Sequence, residues 1–421
     1  MRLLFVNRYF YPDISATSQL LTELAEDLAA KGETVTVITG NTSYLSGGIQ
    51  LEADERHNGI RILRVGFTRF GRSRLLGRLA DYLSFWVCAF WAAVRQKNQD
   101  CLVVLSDPPL LSVLAALVRF QNPVKTVCWL QDTFPDIAVR AGVLDDWLAG
   151  PVLKRIAKWS LRRLDRVIVI GRCMERRILS EGLPSQSVIQ IPNWADGHLI
   201  QPVPRHENAF LRRHGLQDRF VVMYSGNHGM VHEYETLVEL MRQTREVAEL
   251  CFCFVGEGVW KPRLVDTART EGWKHTLFLP YESKEGLKSS LSAADLHLVS
   301  LRRDMEGLSI PSKLYGILAA GRPVLFIGPP SSEVSLVIRE AGCGFCVVPG
   351  DVSWAVRALL AGYHDRALLE EQGAAARHYF DRQCDRTLAS TRFEQALERV
   401  CVESKVPSPA WKTISTVSRN Q

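Results

Sequence analysis

Nowhere among the 421 residues is there an apolar run of the ~20 residues a bilayer-crossing helix needs, and the most apolar segment, residues 83–94, is too short. A membrane span is excluded. No glycine-rich dinucleotide fingerprint follows the first strand, residues 3–6, which disfavours an NAD enzyme. A secretion signal is missing too, because the apolar run after Arg2 lasts only to Val6 and no small-residue cleavage site follows it. The ten cysteines supply one C-x-x-C, Cys343 and Cys346, without a second pair or a nearby histidine, so strand packing outweighs zinc and no metal is expected. Most others, such as Cys101, Cys128, Cys251 and Cys253, sit in apolar runs as small core side chains, which suits a reducing, cytoplasmic setting. Charge is not in large excess either. A net +6 permits an anionic partner, a phosphosugar or an acidic lipid surface, without requiring nucleic acid.

What the chain does contain is α/β alternation, twice over, with 47% hydrophobic residues to fill two cores. Strand 3–6 leads through Asn7 to Asp13 into a helix ending at Gly32, with Thr17 or Ser18 as its expected N-cap, and strand 34–39 follows. Strands 102–105 and 126–130 end in Ser106-Asp107-Pro108-Pro109 and in Gln131 to Asp136, and a basic amphipathic helix spans 148–164. Strands 167–170 and 188–191 close this half. Residues 195–218, carrying Pro202, Pro204 and many charges, suit a linker and a lead-in helix. Strands 220–224, 250–255 and 296–300 then rebuild a parallel sheet, helices run from 351 to about 402, and the polar tail reads as disordered.

Residues 302–349 gather a charged loop, a short helix, a Gly-Arg-Pro turn and two strands, with polar groups where strand ends meet helix starts. Open α/β sheets bind ligands at such places, and this stretch reads as the half-site for an activated, phosphate-bearing donor. Ser225 to Gly229 offers backbone N–H groups to an anion, with plain turn geometry as the competing reading of its glycines. Lys313, and Arg302 or Arg303, can place positive charge on a leaving diphosphate, while Lys261 is a weaker candidate, more often a solvated helix start. Arg69, Arg72, Arg74 and Arg78 lead into an aromatic helical segment that is either a buried core helix or one lying in a membrane interface, with Trp86 and Trp91 near the boundary.

Six stretches in order and spacing carry a family likeness: Tyr9 to Thr17, Ser106 to Pro109, Gln131 to Asp136, Ile191 to Trp194, Ser225 to Gly229, and Pro311-Ser312-Lys313 through Gly321-Arg322-Pro323-Val324. Up to about Val402 the chain resembles the family 4 retaining glycosyltransferases of the GT-B fold that build bacterial capsule, O-antigen or exopolysaccharide repeat units. The resemblance implies an α/β architecture of two Rossmann-like domains facing each other across a cleft. Residues 1–200 would bind the acceptor and 205–382 the nucleotide sugar, with helix 383–402 packing back on the first domain and 403–421 a disordered tail. It also implies transfer without metal or cofactor from a nucleoside-diphosphate sugar, by front-face attack within an ion pair, the departing diphosphate taking the acceptor's proton.

Asp132, Glu306 and Lys313 are then the expected catalytic groups. Glu306 matches the first of the family's paired glutamates, near the donor sugar, and Lys313 supports the diphosphate. Asp132 stands where the family often has histidine and would orient the acceptor hydroxyl or the sugar's 6-position. Gly226, Asn227, His228, Gly229, Lys261, Arg302, Arg303, Gly307 and Ser309 would contact the donor, with Glu333 near its nucleoside. Arg8, Ser15, Thr17 and Asp136 face the acceptor edge, although Asp136 suits a helix cap better and Arg8 suits a surface charge equally. Two departures stand out: Gly316 replaces the second glutamate, usually a ribose ligand, and the family's arginine and lysine after Gly226 give way to Asn227, His228 and Glu233. Diphosphate binding therefore leans on Arg302, Arg303, Lys261 and Lys313. The expected partners are a nucleotide-sugar donor, an undecaprenyl-diphosphate-linked saccharide, an anionic membrane surface at the inner face of the plasma membrane and other polysaccharide-assembly enzymes. A nucleotide-sugar 2-epimerase, a soluble-acceptor transferase and a silent assembly subunit, the last prompted by Gly316, are the alternatives.

Overall fold

A computed structural model describes residues 1–41, 51–68, 70, 75–145, 147 and 150–403. Arg69, Arg72 and Arg74, and the tail from 404 onward, lie outside the described residues. Strands β1 (Arg2–Val6), β2 (Thr34–Gly40), β3 (Asp54–His57), β4 (Ile60–Val65), β5 (Cys101–Val104), β6 (Lys125–Leu130), β7 (Arg166–Val169) and β8 (Val188–Gln190) make one sheet, ordered β3-β4-β2-β1-β5-β6-β7-β8. Among the described strands of this sheet, β3 alone is antiparallel to its neighbour. Leu3, Leu4, Phe5 and Val6 are buried together, as expected for a central parallel strand covered by helices on both faces. The order reverses at β1, so right-handed crossovers put helix Ala16–Ala30 on one face and helices Leu75–Arg95, Leu111–Gln121 and Gly150–Arg163 on the other.

The second sheet is wholly parallel, with β9 (Phe220–Ser225), β10 (Leu250–Val255), β11 (Thr276–Leu279), β12 (Leu296–Ser300), β13 (Val324–Ile327) and β14 (Gly344–Val347) ordered β11-β10-β9-β12-β13-β14. Its order reverses between β9 and β12, and the loops leaving those two strands carry residues 226–229 and 301–309. That switch point is where such a sheet opens a crevice.

Helix Arg386–Val402 returns to the first domain. Arg386 pairs with Asp27 at 2.6 Å, and Phe393 packs on Trp129 and Trp194 with ring centroids 4.6 and 5.7 Å away. The chain thus crosses between domains twice, and the crossings lie side by side, Ala195 N donating to Cys384 O at 3.3 Å and Arg386 N to Ala195 O at 3.0 Å.

Three sequence expectations change. The β3–β4 hairpin was not foreseen. The first helix is capped by Ser15, whose Oγ accepts from Ser18 N, rather than by Thr17 or Ser18, because the Ser18 hydroxyl donates to Asp13 O. Trp86 is half-buried against the core with its indole N–H on Leu110 O at 3.4 Å, so only Trp91 of the two stands at the surface.

Candidate active site

The loops at the carboxyl ends of the two sheets meet. Thr133 N, just past β6, donates to Leu308 O at 2.9 Å, and Arg302 of the second domain donates to Arg140 O of the first at 3.2 Å. Gly307, at φ +70°, lies so close to the first domain that an added Cβ would stand 2.9 Å from Cys173 O, so the contact demands glycine. Asp132 is brought onto this seam by β6, where its carboxyl lies beside Ser309 across the cleft. Burial raises the Asp132 pKa, and the neighbouring Ser309 hydroxyl only partly offsets it.

Lys313 opens helix Lys313–Ala319 and reaches back over β9. Its ammonium lies 3.5 Å from the Tyr224 ring centroid and 3.4 Å from Asn227 O, and burial lowers its pKa well below the usual lysine value. Gly226, at φ +123°, passes beneath it. A Cβ there would come within 3.3 Å of Lys313 Cε. Glu306 faces the same cleft, with Arg176 of the first domain 3.9 Å away.

His228 turns its ring inward, fully buried, with neither ring nitrogen bonded among the described residues. Burial first, then the charges of Lys313 and Lys261, push its pKa down to about 3, so the ring is a neutral packing group against Tyr224 and Tyr234. Lys261 is not a solvated helix start. Its ammonium donates to Gly256 O, Glu257 Oε1 and Leu279 O at 2.7, 2.7 and 2.9 Å, which ties the β10 and β11 ends together. Arg303 donates to Pro349 O at 2.6 Å, and with Arg302 and Glu233 lines a recess of about 480 Å³. Gly229 closes the loop beside Asn227, where an added Cβ would stand 3.0 Å from the Asn227 side-chain amide nitrogen. Gly316 faces Leu291 and Ile200, an apolar wall.

Glu333, almost fully buried, accepts from the Arg172 backbone N–H at 2.6 Å and from its guanidinium at 2.9 and 3.1 Å. The nucleoside-side glutamate of the sequence reading is therefore held by the opposite domain. On the acceptor side, Arg8 is buried rather than a surface charge, its guanidinium 3.6 Å from Asp81 and 4.7 Å from the Tyr82 ring centroid, with Nη1 unpartnered among the described residues. Ser15 and Thr17 stand at the start of the adjoining helix. Asp136 is not a cap, since Pro135 holds that position. It pairs with Arg177 at 2.9 Å and Lys154 at 3.1 Å, and although burial opposes this, the two cations hold its pKa below the usual carboxylate value.

Sequence reasoning missed Arg172, Arg176 and Arg177, which opened a helix at the end of β7 and formed a visible basic cluster at a strand end. It also missed Tyr224, whose position as the last aromatic of a buried strand gave no signal. Among the described residues no group of three or more His, Cys, Asp or Glu is placed to hold a metal ion.

Two Rossmann-like sheets with Lys313 over a glycine loop and Glu306 on one lip, and Asp132 and the Arg172–Arg177 cluster on the other, define a glycosyltransferase of the GT-B type. Residues 16–194 match the model of a glycosyl transferase 4-like domain, and residues 207–379 that of the group 1 glycosyl transferases. A protein named as a probable glycosyltransferase, WbjE of Pseudomonas aeruginosa, is 30% identical over 295 residues, covering 68% of this chain and 72% of its own. WcaI of Escherichia coli K12, named for colanic acid biosynthesis, is 28% identical over 403 residues, 92% of this chain and 97% of its own. Anabaena HepE, crystallised with UDP-glucose, superposes with a TM-score of 0.71 at 14% identity, over 95% of this chain and 100% of its own. The chain belongs to the family 4 glycosyltransferases of the GT-B fold.

Proposed function

We propose that the chain transfers a sugar, with retention, from a nucleoside-diphosphate sugar to an undecaprenyl-diphosphate-linked saccharide in cell-surface polysaccharide assembly. What carries this reading is one juxtaposition: Lys313 over Tyr224 at the Gly226 loop and Glu306 on the same domain's lip, with Asp132 on the facing lip beside Ser309. Lys313 sits where negative charge grows on a departing diphosphate, and Glu306 sits where positive charge grows on the sugar ring. The acceptor hydroxyl attacks from the face the diphosphate leaves, and its proton passes to that diphosphate. Asp132 holds the attacking hydroxyl or the sugar's 6-position, and the unpartnered nitrogen of Arg8 receives an acceptor phosphate.

The scheme needs neither metal nor cofactor. HepE's UDP-glucose supports a nucleotide-sugar donor, and WcaI's name supports a polysaccharide product. The enzyme works peripherally at the inner face of the plasma membrane, beside other assembly enzymes, a placement compatible with the lack, among the described residues, of a helix long and apolar enough to cross a membrane. A screen of nucleotide sugars by thermal shift identifies the donor, since a ligand that binds the folded state raises the melting temperature. Radiolabel from that donor should then enter the lipid phase with its anomeric configuration kept. Label confined to the aqueous phase, or an inverted product, refutes the reading.

A further inference from the structure

One face of the first domain takes no part in the chemistry above. Helices Leu75–Arg95, Leu111–Gln121 and Gly150–Arg163 lie side by side on it, the middle one packed against both others. The first turns Phe85, Ala89 and Ala93 into the core, and the third turns in Ala157, Ser160 and Leu161. Outward, Leu79, Leu83, Val87 and Trp91 repeat every fourth residue, Leu83 at 65% and Trp91 at 54% exposure. On the third helix Val152, Ile156 and Trp159 form a second outward stripe, Trp147 just ahead of it is 80% exposed, and Phe120 stands between the stripes. A monomer seldom leaves so much contiguous apolar surface uncovered without a partner.

The charges say which partner. Helix Gly150–Arg163 carries Lys154, Arg155, Lys158, Arg162 and Arg163 and no acidic residue. A second copy of the chain docked face to face would oppose these five cations with five more, whereas anionic headgroups neutralise them while the apolar stripes enter the acyl boundary. Both outer helices also reach back to the acceptor lip. Asp81 and Tyr82 of the first contact Arg8, and Lys154 of the third pairs with Asp136 at 3.1 Å.

We propose that the three helices form one docking face for an anionic phospholipid surface, with helix Gly150–Arg163 as its cationic half. The proposal rests on the lipid-linked acceptor reading and extends it from one helix to a surface that sets the acceptor lip of the cleft against the bilayer. A lipid-linked saccharide would enter there without leaving the membrane.

Flotation with phosphatidylglycerol–phosphatidylethanolamine vesicles, against phosphatidylcholine vesicles, tests it on the full chain. Three variants suffice: Arg155→Gln with Lys158→Gln and Arg162→Gln; Val152→Ser with Trp159→Ser; and Leu83→Ser with Trp91→Ser. Lys154 is left in place because it holds Asp136. The wild type should float with the anionic vesicles only, and each variant should lose on the order of 10-fold or more in vesicle partitioning while melting as the wild type does. Variants of the third helix that float like the wild type overturn the proposal. So does a wild-type dimer that these substitutions split and that binds no vesicles. Nucleotide release with a short-chain soluble acceptor separates the two levels: a chain that floats but turns over no nucleotide sugar refutes the transferase reading and leaves the docking face standing.

Discussion

Replacing Lys313 with methionine removes one charge and little else. The methionine side chain can still lie on the Tyr224 ring, and among the described residues the only hydrogen bond lost is a long one to Asn227 O, 3.4 Å. At an effective dielectric near 20, an ammonium about 3.5 Å from a phosphate oxygen gains roughly 5 kcal/mol, of which desolvation removes part. About 3 kcal/mol of transition-state stabilisation should remain, comparable to one preorganised oxyanion donor, which is about 10²-fold in kcat. The variant should therefore melt close to the wild type yet turn over about 10²-fold more slowly with a nucleotide-sugar donor. Burial lowers the Lys313 pKa by favouring the neutral amine, whereas a bound diphosphate favours the ammonium, so donor binding takes up a proton on the alkaline side. The wild-type donor KM should rise with pH there, and the Lys313→Met profile should be flatter. Unchanged turnover, or identical pH profiles, would remove Lys313 from the diphosphate site.

Arg172→Met leaves buried Glu333 with only the Arg172 backbone N–H from its present set, so the seam should weaken by about 2 kcal/mol and the apparent Tm should drop by on the order of 3 °C. An unchanged melt would mean the pair ties nothing together. Asp136→Asn should cost about 1 kcal/mol at neutral pH. Because Asp136's folded pKa is depressed, its contribution is present above the unfolded carboxylate value and is lost as pH falls through the folded one. Urea melts of wild type and Asn variant should converge in acid, and a constant gap would refute the pairing. His228→Phe should keep or raise the Tm, since it replaces two unbonded buried nitrogens with apolar carbon, and should leave the donor KM within about 2-fold. A 10-fold rise in KM would return the His228 ring to the donor site.

Much of the fold could be read from runs such as Leu3–Val6 and Phe220–Tyr224, where parallel strands buried on both faces leave an unbroken apolar signature. The hairpin escaped because β3 reads Asp-Glu-Arg-His, an exposed edge strand with no apolar residue, although the alternation Ile60, Ile62 in β4 was a usable sign. The site was legible as places more than as contacts. The Gly226 loop and Lys313 could be set at strand ends from local pattern alone. That Asp132 meets Ser309, or that Glu333 meets Arg172 161 residues away, depends on how two domains dock, which no local period encodes. Lys261 shows the same limit: three acceptors converge on it from the ends of β10 and β11 and from the loop between.

The paired crossing at Ala195 and Asp385 has a consequence for anyone dividing this enzyme. The first domain's aromatic cluster is completed by Phe393, from the far end of the chain, so cutting after the first crossing would strip Trp129 and Trp194 of their cover. Such a fragment should aggregate, while supplying residues 383–403 in trans should rescue it. During synthesis the same arrangement delays completion of the first domain until the ribosome has passed the second, so folding of the first half is ordered by residues 386–402 as much as by its own strands.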